Sequence, residues 1–234
     1  MPDRPVILIT GTSKGIGRDL AGHYLARGYR VVGCSRKPTD FAADGYLHRC
    51  LDVCDEGAVK SLLAEVRAEL GGLQAVVNNA GVAAMNHALL TPLATLRRVL
   101  ETNVTGTFLV CREAAKVMRG TPHSRLVNLS TVAVPLRLAG ETAYAASKAA
   151  VEMLTRTLAR ELAPLGITVN AVGPCPIQTD LIRGVPREKL DQLLASQAIP
   201  RFAQPGDVAN VIDFFLRPES DLITGQVVYL GGVS

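Results

Sequence analysis

The chain has 234 residues, of which 48% are hydrophobic and 20% are charged, the ordinary balance of a folded globular protein. Its formal net charge of +4 is spread along the sequence without a lysine- or arginine-rich block, so nucleic acid is not an expected partner. The N-terminus shows no signal-peptide pattern, and no apolar run has the length of a membrane span. We therefore expect a cytoplasmic protein without a membrane partner.

Short apolar segments alternate with longer segments of helical spacing along the chain. The predicted strands are PVILIT, RVVGCS, YLHRCLDV, LQAVVNN, SRLVNLS, GITVNAV and QVVYL. The predicted helices cover residues 15–27, 55–70, 91–119, 142–163 and 205–216. This alternation predicts an α/β fold with right-handed crossovers: a single Rossmann-fold domain over residues 1–234, with a doubly wound, seven-stranded parallel sheet and helices on both faces.

Two segments depart from this pattern. ETNVTGTF, within 91–119, combines residues of weak helix propensity, so we expect a kink there. The proline-rich region 173–200 suits a loop and a short helix near a site, and we expect a substrate loop over about 175–200.

The five cysteines are scattered and odd in number, which favours reduced thiols over a disulfide framework: Cys34, Cys50, Cys54, Cys111 and Cys175. Cys50 and Cys54 could be imagined as metal ligands. No second pair or histidine cluster completes such a site, so no metal is predicted.

The first predicted strand runs directly into TGTSKGIG, residues 10–17, and a predicted helix follows. In this context Gly11 allows a tight turn, Gly15 keeps side chains away from a pyrophosphate, and Gly17 permits close packing of helix on strand. The helix N-terminus offers unpaired amides to phosphates. The loop therefore predicts a dinucleotide site, with a purely structural turn as the alternative.

The second predicted strand ends in VVGCSRK, where a site for NAD(H) usually carries an acidic residue. Ser35 and Arg36 stand there instead, and Lys14 lies in the glycine loop close enough to help bind a 2′-phosphate. We expect NADP(H) as the cofactor. The alternative is that Arg36 and Lys37 form a solvated loop.

The segment GETAYAASKAA, residues 140–150, places Tyr144 four positions before Lys148, so both side chains lie on one helix face. By itself this spacing is common, and a tyrosine at the edge of a core beside a solvated lysine would explain it. A free phenol titrates near pH 10, and a neighbouring ammonium is expected to lower the pKa of Tyr144 toward neutrality.

In their order along the chain, these motifs resemble the short-chain dehydrogenases/reductases, and the resemblance covers essentially the whole sequence. The matching motifs are Thr10-Gly-x-x-x-Gly-x-Gly17, Asp52-Val53, Asn78-Asn79-Ala80-Gly81, Asn103-Val104-x-Gly106, Tyr144-x-x-x-Lys148, and Pro174 with Ile177 and Thr179. The resemblance implies that Tyr144 is the catalytic acid/base, that Lys148 also binds the nicotinamide ribose, and that Asn103 links Lys148 to a water chain. The cofactor-binding residues it implies, with those of the two loops above, are Gly11, Ser13, Lys14, Gly15, Ile16, Gly17, Ser35, Arg36, Asp52, Val53, Asn79, Ala80, Gly81, Tyr144, Lys148, Pro174, Ile177 and Thr179.

Two positions depart from the family pattern. Family members carry a substrate-binding serine thirteen positions before the tyrosine, where this chain has Thr131 with Ser130 just before it. We assign the role to Thr131, with Ser130 as the alternative. Cys175 replaces the usual glycine after Pro174, which puts the local backbone geometry in question, although a buried inert cysteine is the favoured interpretation.

The resemblance implies an enzyme that moves a hydride between nicotinamide and a carbonyl or secondary alcohol of a small-molecule substrate. Within the family the chain is most similar to 3-oxoacyl-[acyl-carrier-protein] reductases, which implies a carrier-bound acyl thioester and a homotetramer or homodimer, with the C-terminal strand near a subunit interface. Four arginines could meet an acidic substrate or carrier, although scattered arginines are usually solvated: Arg125, Arg137, Arg183 and Arg187. The alternatives are a non-catalytic NADP(H) sensor or scaffold and, less favoured by the glycine spacing, a nucleotide-sugar epimerase.

Overall fold

The computed structural model describes residues 4–179, 182 and 184–233. Seven strands form one sheet in the order β3-β2-β1-β4-β5-β6-β7, and every neighbouring pair is parallel. The strands are Val6–Thr10 (β1), Arg30–Ser35 (β2), Tyr46–Cys50 (β3), Ala75–Asn78 (β4), Ser124–Leu129 (β5), Ile167–Gly173 (β6) and Val227–Tyr229 (β7). The fold class predicted from the sequence is confirmed.

Helices cover both faces of this sheet. They are Gly15–Ala26 (α1), Glu56–Leu70 (α2), Leu93–Leu100 (α3), Gly106–Met118 (α4), Ala133–Leu136 (α5), Thr142–Leu162 (α6), Arg187–Ala195 (α7) and Pro205–Leu216 (α8). Leu8 of β1 packs into an apolar cluster with α2, α4 and α6, whereas its neighbour Ile9 packs into a second cluster with α1 and α8. The central strands are therefore buried on both faces, as parallel strands between two helical layers must be.

The kink predicted within residues 91–119 is a turn of π-helix, Glu101–Thr105, between α3 and α4. Gly106 follows it, and a Cβ atom there would lie 2.6 Å from Cγ2 of Val53. The weak helix propensity of this segment and the close approach of Val53 both favour the irregular turn.

The sheet reverses its winding direction between β1 and β4, because β2 and β3 lie on one side of β1 and the later strands on the other. Ligands in doubly wound sheets bind at such a switch point, beyond the carboxyl ends of the strands. The glycine loop follows β1, and the Asn-Asn-Ala-Gly motif follows β4. Within the described residues, no helix is both long and apolar enough to cross a membrane.

Candidate active site

The glycine loop joins β1 to α1 and has the backbone that its glycines were expected to provide. Gly11 has a φ of +78°, which favours glycine. At Gly17 a Cβ atom would lie 2.3 Å from the carbonyl oxygen of Gly11, so helix and strand could not approach as they do. At Gly15 a Cβ atom would meet only the Thr179 side chain, at 3.7 Å or more.

Thr10 holds this loop against the end of β4. Its Oγ1 accepts hydrogen bonds from the backbone amides of Asn79 (3.0 Å) and Ala80 (2.9 Å). The side-chain amide of Asn79 donates to the carbonyl oxygen of Thr10 at 2.9 Å. The side-chain amide of Asn79, a predicted cofactor-binding residue, therefore binds the glycine loop and positions that loop. Thr10 is a site residue that the sequence motif contained and the prediction left without a role.

At the N-terminus of α1, no side chain caps the helix, so its first amides are available to a phosphate. Arg36 is exposed just beyond β2, and Lys14 is exposed just before α1. The Ser35 hydroxyl donates to the carbonyl oxygen of Lys37 at 2.7 Å and lies 2.9 Å from Nε2 of His48. The uncapped amides of α1 fit the pyrophosphate of a dinucleotide.

The remaining predicted cofactor residues lie in three places. Asp52 and Val53 follow β3, where the Asp52 carboxylate accepts from the backbone amide of Cys54 at 3.0 Å and Val53 is buried against Gly106. The others line one cavity of about 350 Å³ or its glycine-loop wall: Ile16, Gly81, Pro174, Ile177 and Thr179. Ser13 lies in the loop itself.

The cavity brings Tyr144, Thr131 and Lys148 together. The Tyr144 and Thr131 side chains line the same part of the cavity, and the Thr131 hydroxyl acts to lower the pKa of Tyr144. Nζ of Lys148 lies 6.0 Å from the centre of the Tyr144 ring and donates to the carbonyl oxygen of Leu129 at 2.8 Å. A Cβ atom on Gly81 would lie 3.6 Å from the same Nζ, so this glycine keeps space open beside the ammonium.

The electrostatics of this pair differ from the expectation. Burial and the negative charge of Glu141 raise the pKa of Tyr144, while the neighbouring Thr131 hydroxyl acts in the opposite direction. Burial lowers the pKa of Lys148 to about 8. The expectation that the ammonium lowers the pKa of Tyr144 is therefore wrong for the protein alone, because desolvation penalises the charged form of both groups.

Asn103 is fully buried in the π-helical turn. Its Nδ2 donates to the carbonyl oxygen of Val82 and to Oγ of Ser147, each at 2.9 Å, and its Oδ1 accepts from the backbone amide of Val82 at 2.8 Å. Ser147 in turn donates to the carbonyl oxygen of Tyr144 at 2.7 Å. The side chain of Asn103 thus ties α6 to the loop after β4. Ser147 was not singled out from the sequence, although it adjoins Lys148.

Ser130 and Thr131 face different surroundings at the end of β5. The Ser130 hydroxyl is buried and donates to Oε1 of Glu152 at 2.5 Å, and the Tyr229 hydroxyl donates to the same oxygen at 2.6 Å. Thr131 lines the cavity with Tyr144, its hydroxyl acts to lower the pKa of that tyrosine, and its Oγ1 accepts from the amide of Ala133 at 3.2 Å. The geometry therefore favours Thr131 over Ser130 as the partner of the tyrosine.

Cys175 lines the cavity and is 6% exposed. Among the described non-glycine residues, positive φ values occur at His123 and Arg137, so Cys175 has an ordinary backbone and needs no glycine. Burial raises the pKa of its thiol, as expected of an unreactive cysteine. All five cysteines are free.

The arginines considered for an acidic partner have different fates. Arg125 is only 2% exposed and pairs with Asp221, so the interpretation of it as a solvated or partner-binding residue is wrong. Arg137 is exposed, and Arg187 is exposed and pairs with Asp191 at 3.0 Å. Arg183 lies outside the described residues.

Comparisons with known proteins identify the family to which the chain is similar. A family model described as Enoyl-(Acyl carrier protein) reductase matches residues 11–233. The chain is 30% identical to the 3-oxoacyl-[acyl-carrier-protein] reductase FabG of Escherichia coli (strain K12) over 97% of this chain and 96% of that protein. It is 33% identical to the FabG of Staphylococcus aureus (strain Mu50), with 96% of each chain covered.

Two solved structures share the fold closely. The ligand-free aldohexose dehydrogenase of Thermoplasma acidophilum has a TM-score of 0.90 at 29% identity, covering 98% of this chain and 93% of that one. An actinorhodin polyketide ketoreductase variant with NADPH has a TM-score of 0.86 at 30% identity, covering 99% and 97%. The comparisons give no support for a non-catalytic nucleotide-binding protein. The chain belongs to the short-chain dehydrogenase/reductase family and is an oxidoreductase that moves a hydride between a nicotinamide cofactor and a carbonyl or alcohol carbon.

Proposed function

We propose that this protein reduces a ketone with NADPH, and that 3-oxoacyl thioesters are the first substrates to test. The observation that carries the proposal is that Thr131 and Tyr144 line one cavity, with Lys148 beside the tyrosine ring. Two hydroxyl groups directed at one space can bind a single carbonyl oxygen between them. The FabG relatives and the ketoreductase neighbour suggest the substrate class and the cofactor.

In the reductive direction, Thr131 and Tyr144 bind and polarise the substrate oxygen, and Tyr144 then gives it a proton. The raised pKa of Tyr144 suits this role, because the phenol keeps its proton at neutral pH until negative charge develops on the substrate. Lys148 places a positive charge beside the phenol and can hydrogen-bond a ribose. Ser130 would not contact the substrate oxygen, because its hydroxyl is bonded to Glu152. Asn103 would position α6 through Ser147. A bound nicotinamide supplies the hydride.

The proposed preference for NADP(H) over NAD(H) rests on basic residues after β2 and in the glycine loop. Arg36 and Lys14 would hold the adenosine 2′-phosphate, with Ser35 beside them, and the N-terminus of α1 would hold the pyrophosphate over Gly15. Asp52 and Val53 would border the adenine. Ile16, Asn79, Ala80 and Gly81 would contact the cofactor between its two ends, and Pro174, Ile177 and Thr179 would meet its nicotinamide end.

We further propose that the segment 175–200, which contains α7, forms the substrate loop of a single domain. A homodimer or homotetramer is proposed from the family and from exposed apolar side chains on two neighbouring helices, Phe108 of α4 and Met153 of α6. The cytoplasmic location stays a prediction.

The test is a fluorescence titration with NADPH and NADH, followed by turnover of 3-oxoacyl thioesters and simple ketones. We expect tighter binding of NADPH, and a loss of turnover of about 10²–10⁴-fold in Tyr144→Phe with cofactor binding retained. Arg36→Ala should weaken NADPH about tenfold and leave NADH unchanged, since it loses a charge-assisted contact. Equal binding of both cofactors would contradict the NADP(H) assignment, and unchanged turnover in Tyr144→Phe would contradict the mechanism.

A further inference from the structure

A carboxylate, Glu141, lies in the wall of the same cavity, three residues before Tyr144. Residues three apart on a helix have Cβ atoms about 5–6 Å apart, so the carboxylate lies close to where the substrate carbonyl would bind. The backbone next to Glu141 is held in place, because the amide of Asn86 donates to the carbonyl oxygen of Gly140 at 2.8 Å. Glu141 therefore belongs to a fixed part of the cavity wall.

Among the described residues, none makes a structural contact with the Glu141 side chain that the fold requires it to keep. It stands at the N-cap position of α6, yet its side chain caps no backbone amide there. Within residues 4–179, 182 and 184–233, its carboxylate makes no hydrogen bond or ion pair; the Lys189 ammonium of α7 acts on it only through its charge. Burial raises the pKa of Glu141, which shows that the cavity solvates it poorly.

Much of the lining of the cavity that Glu141 shares is apolar, and it includes Met85, Leu138, Ile182, Val185 and Leu193. Among the described residues that line the cavity, Glu141 carries the only carboxylate. The cavity's ammonium, on Lys148, is already bonded to the carbonyl oxygen of Leu129 and lies beside Gly81. A partly desolvated acceptor in an apolar wall binds a hydrogen-bond donor well and an anion poorly.

We propose that Glu141 is a specificity-determining residue that selects ketones with a hydroxyl group next to the carbonyl and rejects those with a carboxylate there. The inference rests on the proposed carbonyl reduction in this cavity. The substrate hydroxyl donates to Glu141 while its carbonyl oxygen accepts from Thr131 and Tyr144, and its apolar chain lies along the wall around Leu138 and Leu193.

Three ketones of one chain length isolate this interaction: 2-octanone, 1-hydroxy-2-octanone and 2-oxooctanoate. They carry a methyl, a hydroxymethyl and a carboxylate group next to the same carbonyl. With NADPH we expect wild-type kcat/KM to be about tenfold higher for the hydroxyketone than for 2-octanone, since a hydrogen bond to a charged group is gained, and lowest for the oxo acid. In Glu141→Gln the ratio of kcat/KM for the hydroxyketone to that for 2-octanone should fall several-fold. The kcat/KM for the oxo acid should rise to that for 2-octanone.

The matched control is Glu161→Gln, which removes the same charge from the exposed far end of α6. It should keep the wild-type order of the three ketones. Binding is measured separately by calorimetry with NADP⁺ present, where ketone reduction has no hydride source. The hydroxyketone should bind wild type more tightly than the oxo acid, and the difference should shrink in Glu141→Gln.

These readouts separate the two proposals. Reduction of all three ketones with the same order in wild type and Glu141→Gln would overturn the role of Glu141 and leave the reductase intact. Binding that discriminates through Glu141, without reduction of any ketone or thioester, would overturn the reductase alone. Absence of both reduction and discriminating binding would overturn both.

Discussion

At the scale of single residues, Lys148 shows what a buried charge costs. Its side chain is 5% exposed, and burial lowers its pKa to about 8, whereas an unfolded lysine titrates near 10.4. Between these two values the unfolded chain binds a proton that the folded protein has lost, so this residue makes stability rise with pH across that window. Below pH 8 both states are protonated and the folded state bears the full cost of the buried ammonium.

Lys148→Met tests this account. At pH 7 we expect its melting temperature to exceed that of wild type by a few degrees, while turnover is lost. The difference should shrink as the pH rises from 8 to 10, because wild type gains stability there and the variant does not. Melting curves of both proteins across this range measure it. If the difference in melting temperature between the two proteins stays constant with pH, burial of the Lys148 ammonium does not destabilise the folded protein.

At the scale of elements, α8 illustrates how a helix start is secured. The Asp207 carboxylate accepts from the backbone amide of Gln204 at 2.8 Å and from both Nη atoms of Arg201, which lowers the pKa of Asp207 to about 2. The helix then buries Val208, Ile212 and Phe215 against the sheet and α1. Two independent contacts at one carboxylate therefore stabilise a helix that packs on one face of the sheet.

We expect Asp207→Asn to lower the free energy of unfolding by about 1 kcal/mol near neutral pH. Because the folded pKa is depressed, the contribution is complete above about pH 4 and is lost as the pH falls toward 2. Denaturant unfolding at pH 7 and at pH 3 measures both statements. Asp191→Asn, which breaks an exposed pair with Arg187, is the control and should change stability little. A deficit of equal size in the two variants would argue against the capping role.

At the scale of the whole molecule, the outer surface of one helical layer carries large apolar side chains. Phe108 of α4 is 37% exposed and Met153 of α6 is 59% exposed, and both helices pack on the same side of the sheet. Light scattering should give two or four times the 24.8 kDa of one chain. Phe108→Asp combined with Met153→Asp should reduce that mass if this layer is the interface. A wild-type mass of one chain would contradict the proposed assembly.

Much of this molecule follows from local pattern. Apolar segments such as VILIT and ITVNAV are buried strands in the structure. They could be predicted because the periodicity of a strand and its flanking turn residues lie within a few positions of each other. The shared helix face of Tyr144 and Lys148 also follows from local spacing. The spacing of the glycines in the turn after β1 is local in the same way. The weak helix propensity of ETNVT likewise predicted where the regular helix is interrupted.

Other features depend on parts of the chain that meet only in the folded protein. Arg125 pairs with Asp221, 96 positions away, so its burial has no local signal. The Ser130 hydroxyl is bonded to Glu152 of α6, which also accepts from Tyr229 of the last strand, so its engagement depends on residues far along the chain. The pKa values of Tyr144 and Lys148 are set by desolvation from every surrounding element. Sequence by itself determined the α/β fold, the glycine-rich turn after β1 and the shared helix face of Tyr144 and Lys148, because these arise from local periodicity and spacing. Tertiary structure decided the burial, the partners and the charge state of those same groups, because solvent exclusion is a property of the packed whole.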